Sequence, residues 1–451
     1  MTSAVQENAR MLASILGIGE GEAAARLKRT VLITVEEAPQ YRAWAADIAE
    51  LLGLTVDLVD GARGKIDAEL VIGKTVPRSG APVLYASMGR ELATIAWQEK
   101  SGQDGIPHPF LAACAAPMVV AAVLNIVIAD DALPRVSLPL TFRFDQLGLA
   151  GGALRRQRDL TGMVMAGAGA VGHGFLRALR HLPTAGVLPI VDPKNVAEGN
   201  FNRCTYLHEE DLGKDKAVVL AERAQPDFGK LALEPFVGDF AAYCKDAGPQ
   251  QVVIVTVDSR RARRSIQTEL PGAVIDASTT DVRAVVIHSH KQPTQDACLS
   301  CIYRHVPEEH AREQSIADGL GVGLGDVRSG LITSTAANLI HTRYPDVDPA
   351  VIVGKAFDSL FKELCAAQAL KSDEGRQVLA PFSFVSALAG CYLVVELLRS
   401  MDGIAATNYW TADPWGLPSR RRRVTRPRHV NCEFCSRAEV QTVAKQLWGR
   451  T

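Results

Sequence analysis

One segment constrains this chain more than any other. MVMAGAGAVG (163–172) is an apolar run that enters a glycine-rich turn, HGFLRALRHL (173–182) continues with helical periodicity, and GVLPIVD (186–192) returns as a strand. Gly167, Gly169 and Gly172 give the spacing G-x-G-x-x-G. Glycine permits a tight turn and lets backbone amides approach a phosphate, while the helix that follows adds N–H donors and the positive end of its dipole. Strand, glycine turn, helix and strand in this order make a nucleotide-binding unit. Asp192, about twenty residues on, stands where a carboxylate binds ribose hydroxyls. Nicotinamide-dependent dehydrogenases use the same device, so the turn alone does not separate a nucleoside triphosphate from a dinucleotide.

The rest of the chain extends an α/β pattern. VVIVTVD (252–258) and AVIDAST (273–279) read as buried strands ending in polar groups, where an open parallel sheet places its ligand. Upstream, VLITV (31–35), TVDLVD (55–60), AELVIG (68–73) and PVLYAS (82–87) are of strand length, with a helical stretch at 39–52 and no glycine-rich phosphate loop. AAPMVVAAVLNIVIAD (115–130) closes this first layer, and residues 131–160 read as a linker followed by a short helix. That apolar stretch resembles APFSFVSALAGCYLVVEL (380–397) in its proline start and small residues, so residues 1–140 read as a degenerate copy of the nucleotide domain. The competing explanation is that all buried helices look alike. A length of 451 residues suits two domains and an insertion. The expected division is 1–140 for the N-terminal α/β domain, 141–301 with 380–451 for the nucleotide domain, and 302–379 for a helical insertion. A net charge of −1 supplies no field that would draw the chain to nucleic acid or membrane. No basic-then-apolar signal pattern opens the sequence, and a cytoplasmic location is expected.

The segment DPKNVAEGNFNRCTYLHEEDLGKDKAVVLAERA (192–224) separates triphosphate from dinucleotide. It gathers Asn200, Asn202, Arg203 and Lys216 soon after the ribose carboxylate. A dehydrogenase does no chemistry on phosphate and needs no cations there. In adenylation a carboxylate attacks the α-phosphate and pyrophosphate departs with growing negative charge, which Arg and Lys offset. Asp258, at a strand end, is suited to hold Mg²⁺ against the phosphates.

Together these motifs resemble the ubiquitin-activating enzyme superfamily, which includes the bacterial ThiF and MoeB adenylyltransferases. The glycine turn, Asp192, Asn200 to Arg203, Gly213 to Lys216, Asp258 and then Arg263 follow the family order over roughly residues 140–440. Departures are Lys194 where a second acid is common, Cys204 in place of Gln, and Ser259 in place of Asn. Of the family's Arg-Tyr-x-Arg-Gln segment only RFDQ (143–146) remains, with Arg143 in the arginine's place. The resemblance implies ATP and Mg²⁺ as cofactors, catalytic roles for Asp258, Arg203 and Lys216, and nucleotide contacts from Gly167, Gly169, Gly172, Asp192, Asn200, Arg203, Lys216 and Asp258.

Nine cysteines complete the reading. Cys298-x-x-Cys301 and Cys432-x-x-Cys435 present two thiolates each, and two such turns close a structural Zn²⁺ site that staples the tail onto the domain. Cys365, in FKELCAAQALKSDEG (361–375), lies where the resembled family carries a thioester-forming cysteine, with Cys204 second by its closeness to the phosphates. Cys114, Cys244 and Cys391 read as structural, and the basic run Arg420–Arg423 receives no role. The resemblance implies a ubiquitin-like protein with a C-terminal Gly as substrate, adenylation followed by thioester formation, a conjugating enzyme as acceptor, a homodimer or pseudodimer, and a bacterial antiphage setting. Three alternatives stay open: a sulfur-carrier adenylyltransferase without a thioester, a nicotinamide-dependent oxidoreductase, and a non-catalytic scaffold that kept zinc and fold but lost ATP turnover.

Overall fold

The computed structural model describes residues 3–99, 105–130, 133–280, 282, 284–303, 307–329 (backbone only for 307–310), 331–355, 357, 360, 361, 364, 382–404, 407–417 and 423–449. Helices α1 (Ser3–Leu16) and α2 (Glu20–Leu27) lead into β1 (Thr30–Val35), α3 (Pro39–Leu52), β2 (Asp57–Val59), β3 (Ala68–Ile72), β4 (Val83–Met88) and β5 (Leu92–Ala96). Then come α4 (Pro109–Ile128) and β6 (Leu140–Arg143). The second layer begins with β7 (Arg158–Asp159) and β8 (Met163–Ala166), α5 (Ala170–Leu179), β9 (Thr184–Val191), α6 (Lys216–Ala224) and β10 (Leu231–Phe236). It continues through β11 (Val252–Val255), β12 (Ala273–Thr280), β13 (Ala284–Lys291), β14 (Tyr409–Ala412) and β15 (Arg423–Val424). A core helix, Ser383–Met401, lies between β13 and β14.

The two sheets share one plan. The first runs β2-β1-β3-β4-β5-β6 and the second contains β9-β8-β11-β12-β13-β14 in the same sense, flanked by β10 and β15. In each, four parallel strands are followed by two antiparallel ones. In each, a helix joins the first two strands and a long apolar helix precedes the last strand: α4 in one, Ser383–Met401 in the other. Both long helices are apolar enough to cross a membrane by length and composition, yet each is mostly buried as a core helix of its layer. Asn125, the polar residue inside the first, donates to Pro134 O at 3.0 Å and accepts from Val136 N at 3.3 Å, so its amide is satisfied at the helix end.

Two expectations need correction. The first layer does not end at residue 130, because β6 forms its edge strand, paired antiparallel with β5. Residues 131–160 therefore hold strand as well as loop. β6 has four residues and directly follows Pro139, so no periodic run announces it. Where β8 runs into Gly167, β1 runs into Glu36, Glu37, Ala38 and Pro39. Two carboxylates at that turn repel a phosphate, and proline removes a donor.

After β13 and the short helix Leu299–Ile302, the described residues before the core helix include Pro307–Leu320, Leu324–Ser329, Ser334–Arg343 and Pro349–Ile352. They share a separate apolar cluster built on Leu320, Val327, Ile340, Ile352 and Phe357. Cys365 and Arg420–Arg422 lie outside the described residues. Arg423 is described: its guanidinium stacks 4.2 Å from the Trp410 ring centroid and donates to Leu147 O.

Candidate functional site

The glycine turn sits at the carboxyl ends of β8, β9 and β11. Gly167 has φ +110°, and a Cβ there would stand 2.8 Å from Val257 N. At Gly172 a Cβ would meet Gly167 O at 2.8 Å. Both positions require glycine, because backbone on the far side cannot yield. Thr256 Oγ1 donates to Gly167 O at 2.6 Å and clamps the turn onto β11. Gly169 has open space beside it and is the N-terminal boundary of α5. Asp192 is buried, and its carboxylate accepts from Ala168 N at 2.7 Å and from Lys194 N at 2.8 Å. It thus ties the glycine turn to the loop after β9.

That loop, 193–215, closes on itself. Asn195 pairs with Asp215 in an antiparallel bridge, Val196 N donates to Lys214 O, and Lys216 N donates to Lys194 O at 3.0 Å. Lys216 therefore begins α6 directly beside Lys194. Within the loop, Asn200 accepts from Ala197 N at 2.9 Å and shapes a 3-10 turn. Arg203 Nη1 donates to Gly199 O at 2.5 Å and to Asn202 Oδ1 at 2.6 Å. Cys204 is 2 % exposed, and burial pushes its thiol pKa up, opposed by Arg203 and Lys216 nearby. A buried thiol held protonated is a poor nucleophile, so Cys204 serves packing with Val196, Phe201, Leu207 and Val219. His173, fully buried on α5, is pushed down to about 3 by burial and by Lys216. Lys216 is thus close to His173 in the first turn of α5, and Arg203 and Lys216 are both close to the Cys204 thiol.

Asp258 is exposed at the end of β11, and both of its carboxylate oxygens accept from Lys194 Nζ at 3.0 Å. The lysine that replaces a second acid in sequence lies against the acid that the sequence marks for Mg²⁺. Asp258 is one hard carboxylate at the mouth of the sheet, a fit for Mg²⁺ completed by substrate oxygens and water. Sequence reasoning did not find this pair, whose members lie 64 positions apart. Arg263, by contrast, is 2 % exposed and serves the fold. It donates to Asp276 Oδ1 at 2.8 Å and to Ala277 O at 2.9 Å, and it stacks on Tyr303. Arg143, at the end of β6, is half exposed and lies 3.6 Å from Asp145.

The four zinc-candidate cysteines come together as the spacing predicts, with all four sulfurs within 4.8 Å of one another. Cys298 Sγ lies 3.8 Å from Cys301 and 3.6 Å from Cys432, and Cys301 lies 3.3 Å from Cys435. Zn–S bonds of about 2.3 Å set tetrahedral S···S edges of about 3.8 Å, so the donor set fits Zn²⁺. His429 N donates to Cys301 Sγ at 3.3 Å, the outer hydrogen bond such thiolates attract. Removing the metal or replacing Cys432 with serine is expected to release the tail beyond β15. The unfolding midpoint should fall by roughly 10 °C, since a lost structural zinc costs several kcal/mol and each moves Tm by about 2–4 °C. Elemental analysis should find about one zinc per wild-type chain.

The sheet order and the glycine turn at the carboxyl ends of its central strands define a Rossmann-type α/β protein. The ThiF family matches residues 145–434, well over half of the sequence, and the chain belongs to that family. Residues 1–150 match the E1 N-terminal domain. Uncharacterized protein y4jF of Sinorhizobium fredii is 26% identical over 261 residues, covering 54% of this chain. The chain spans about half the length of this curated relative, 50%. Among solved structures, Escherichia coli MccB with MccA-N7isoASN aligns at 13% identity and TM-score 0.37, over 63% of this chain and 68% of that one. PaaA aligns at 13% identity and TM-score 0.34, over 60% and 72%.

Proposed function

We propose that this chain adenylates the C-terminal carboxylate of a small protein or peptide with ATP. The observation that carries the reading is the loop 193–215 with Lys216 directly after it: Asp192 ties the loop to the glycine turn, Lys216 starts α6 beside Lys194, and Lys194 Nζ lies on Asp258. In the reaction a carboxylate oxygen of the partner attacks the α-phosphorus. The bond from that phosphorus to the bridging oxygen breaks, and pyrophosphate leaves with the electron pair. The glycine-turn amides and the α5 N-terminus hold the nucleotide phosphates. Asp192 accepts from the ribose hydroxyls while keeping its bonds to the turn. Arg203 and Lys216 offset the charge that builds on the departing oxygens. Mg²⁺, held by Asp258 and by phosphate oxygens, would neutralise charge there, and Lys194 must then yield the carboxylate.

The finer reading is a ubiquitin-like protein ending in Gly, passed to Cys365 as a thioester and on to a conjugating enzyme in a bacterial antiphage setting. The N-terminal layer then serves as the inactive half of a pseudodimer. Its matching strand order and the acidic turn at Glu36 and Glu37 support that role.

Partner-dependent ATP–pyrophosphate exchange tests the first step. Exchange above background with a Gly-terminated partner, lost when that carboxylate is amidated, is the expected result. Tight NADH binding with no response to ATP overturns the reading in favour of a dehydrogenase. Cys365→Ala separates the later step: a reducible partner adduct should disappear while exchange continues. An adduct that survives the substitution removes Cys365 from the mechanism, and a wild type with exchange but no adduct indicates a sulfur-carrier type of reaction.

A further inference from the structure

We infer that the N-terminal helix α1 forms a wall of the nucleotide site, and that Asn8 on it is a positioning residue for Arg203. The inference rests on the nucleotide reading above. Asn8 is 1 % exposed and Asn202 is fully buried, so both amides need partners. They find them in one chain of hydrogen bonds. Asn8 Nδ2 donates to Leu54 O at 2.7 Å, at the end of α3 in the N-terminal layer. Asn8 Oδ1 accepts from Asn202 Nδ2 at 3.1 Å. Asn202 Oδ1 in turn accepts from Arg203 Nη1 at 2.6 Å.

The direction of each bond is dictated by chemistry. A guanidinium only donates, so the Asn202 oxygen must face Arg203, and its NH₂ must face an acceptor. Only an oxygen at position 8 meets that need, and the bond to Leu54 O fixes the Asn8 amide the same way round. The orientation of Arg203, held locally by Gly199 O, is therefore also tied through Asn202 and Asn8 to the backbone of the other layer. A second contact agrees with the first. Ala4 of α1 packs on the apolar cluster of Phe201, Cys204 and Val219, to which Ala170 of the first α5 turn also belongs. Gly199, whose carbonyl holds Arg203, has Glu7 of α1 beside it; a Cβ there would stand 3.4 Å from the Glu7 carboxylate carbon. One helix of the degenerate layer thus braces both the arginine and the segment that carries it.

The experiment is a double-substitution cycle read as the affinity for ATP and for adenosine. Adenosine lacks phosphates and does not report on Arg203. Asn8→Leu should weaken ATP about tenfold, the worth of one misplaced charge-assisted contact, and leave adenosine unchanged. In an Arg203→Ala background, Asn8→Leu should cost ATP nothing further, since the two act through one guanidinium. Asn8→Ser keeps a polar side chain where leucine fails to fold, and its loss should fall between wild type and Asn8→Leu. If Arg203→Ala weakens ATP but Asn8→Leu and Asn8→Ser do not, or if their losses add to it in full, Asn8 is merely structural and the inference fails. If Arg203→Ala itself leaves ATP affinity unchanged, the nucleotide role of Arg203 fails instead.

Discussion

Replacing Gly390 with valine abolishes the folded state or costs it roughly 4 kcal/mol or more, read as insoluble expression or as a large fall in the urea midpoint. Gly390 lies within the core helix Ser383–Met401, where it crosses α5. A Cβ at Gly390 would stand 2.0 Å from Gly174 C and 2.3 Å from Phe175 N. From the opposite side, a Cβ at Gly174 would stand 2.6 Å from Ser386 O. The two helices touch backbone to backbone, so no rotamer change relieves the clash and one helix must move. Moving α5 displaces the glycine turn at its head. Even Gly390→Ala should therefore destabilise, by an amount near the upper end for overpacking, about 3 kcal/mol. Gly169→Ala is the control. It lies one turn away in the same unit with open space beside it, and its stability should stay within about 0.5 kcal/mol of wild type. A Gly390→Ala variant as stable as Gly169→Ala would mean that the helix crossing yields to a Cβ and that close approach does not set the effect.

The same crossing shows what the sequence does and does not reveal. Gly167, Gly169 and Gly172 stand out because their spacing is local and one turn explains it. Gly174 and Gly390 are equally constrained, but the constraint acts between residues more than two hundred positions apart. The C-x-x-C pairs were legible because each is a local turn and zinc chemistry joins two of them. Strands were harder. β10 carries Pro235, which argues against a strand interior, and the structure makes it an edge strand paired on one side only by β9. β13 is an apolar AVVI followed by HSHK, and the polar look of HSHK hides that His288 and His290 are buried. β5 and β6 are short and pair with each other across the whole of α4. Lys194 illustrates the remaining limit. It reads as a departure from the family pattern, and only the fold brings it onto Asp258. Asn8 reads as an ordinary polar residue on an amphipathic helix until Asn202 arrives from 194 positions away.

Lys216→Ala is expected to lower partner-dependent pyrophosphate exchange by about 10²–10³-fold, the cost of one preorganised donor to developing charge. The neighbouring Lys214 supplies the comparison. The exposed Lys214 places Nζ 2.9 Å from Oδ1 of the buried Asp211, which Arg223 also binds at 3.1 Å, so its charge is already met within the loop. Lys216 begins α6 with its backbone N–H on Lys194 O, and it is half-buried. Its charge lies near the buried His173 ring on α5 and near the Cys204 thiol. Salt screens such a partly buried charge less than a surface one. Arg223 still pairs with Asp211 when Lys214 is removed, so Lys214→Ala should leave exchange within about twofold of wild type. Lys216→Arg keeps the charge but spreads it over a planar fork, and should recover part of the rate without restoring it. The ATP KM separates ground-state from transition-state roles. If Lys216 meets charge that grows as pyrophosphate leaves, kcat falls while KM changes little. A rise in KM at constant kcat would assign Lys216 to binding the unreacted phosphates. Exchange unaffected by Lys216→Ala but lost with Lys214→Ala would mean that the departing charge is met on the outer face of the loop.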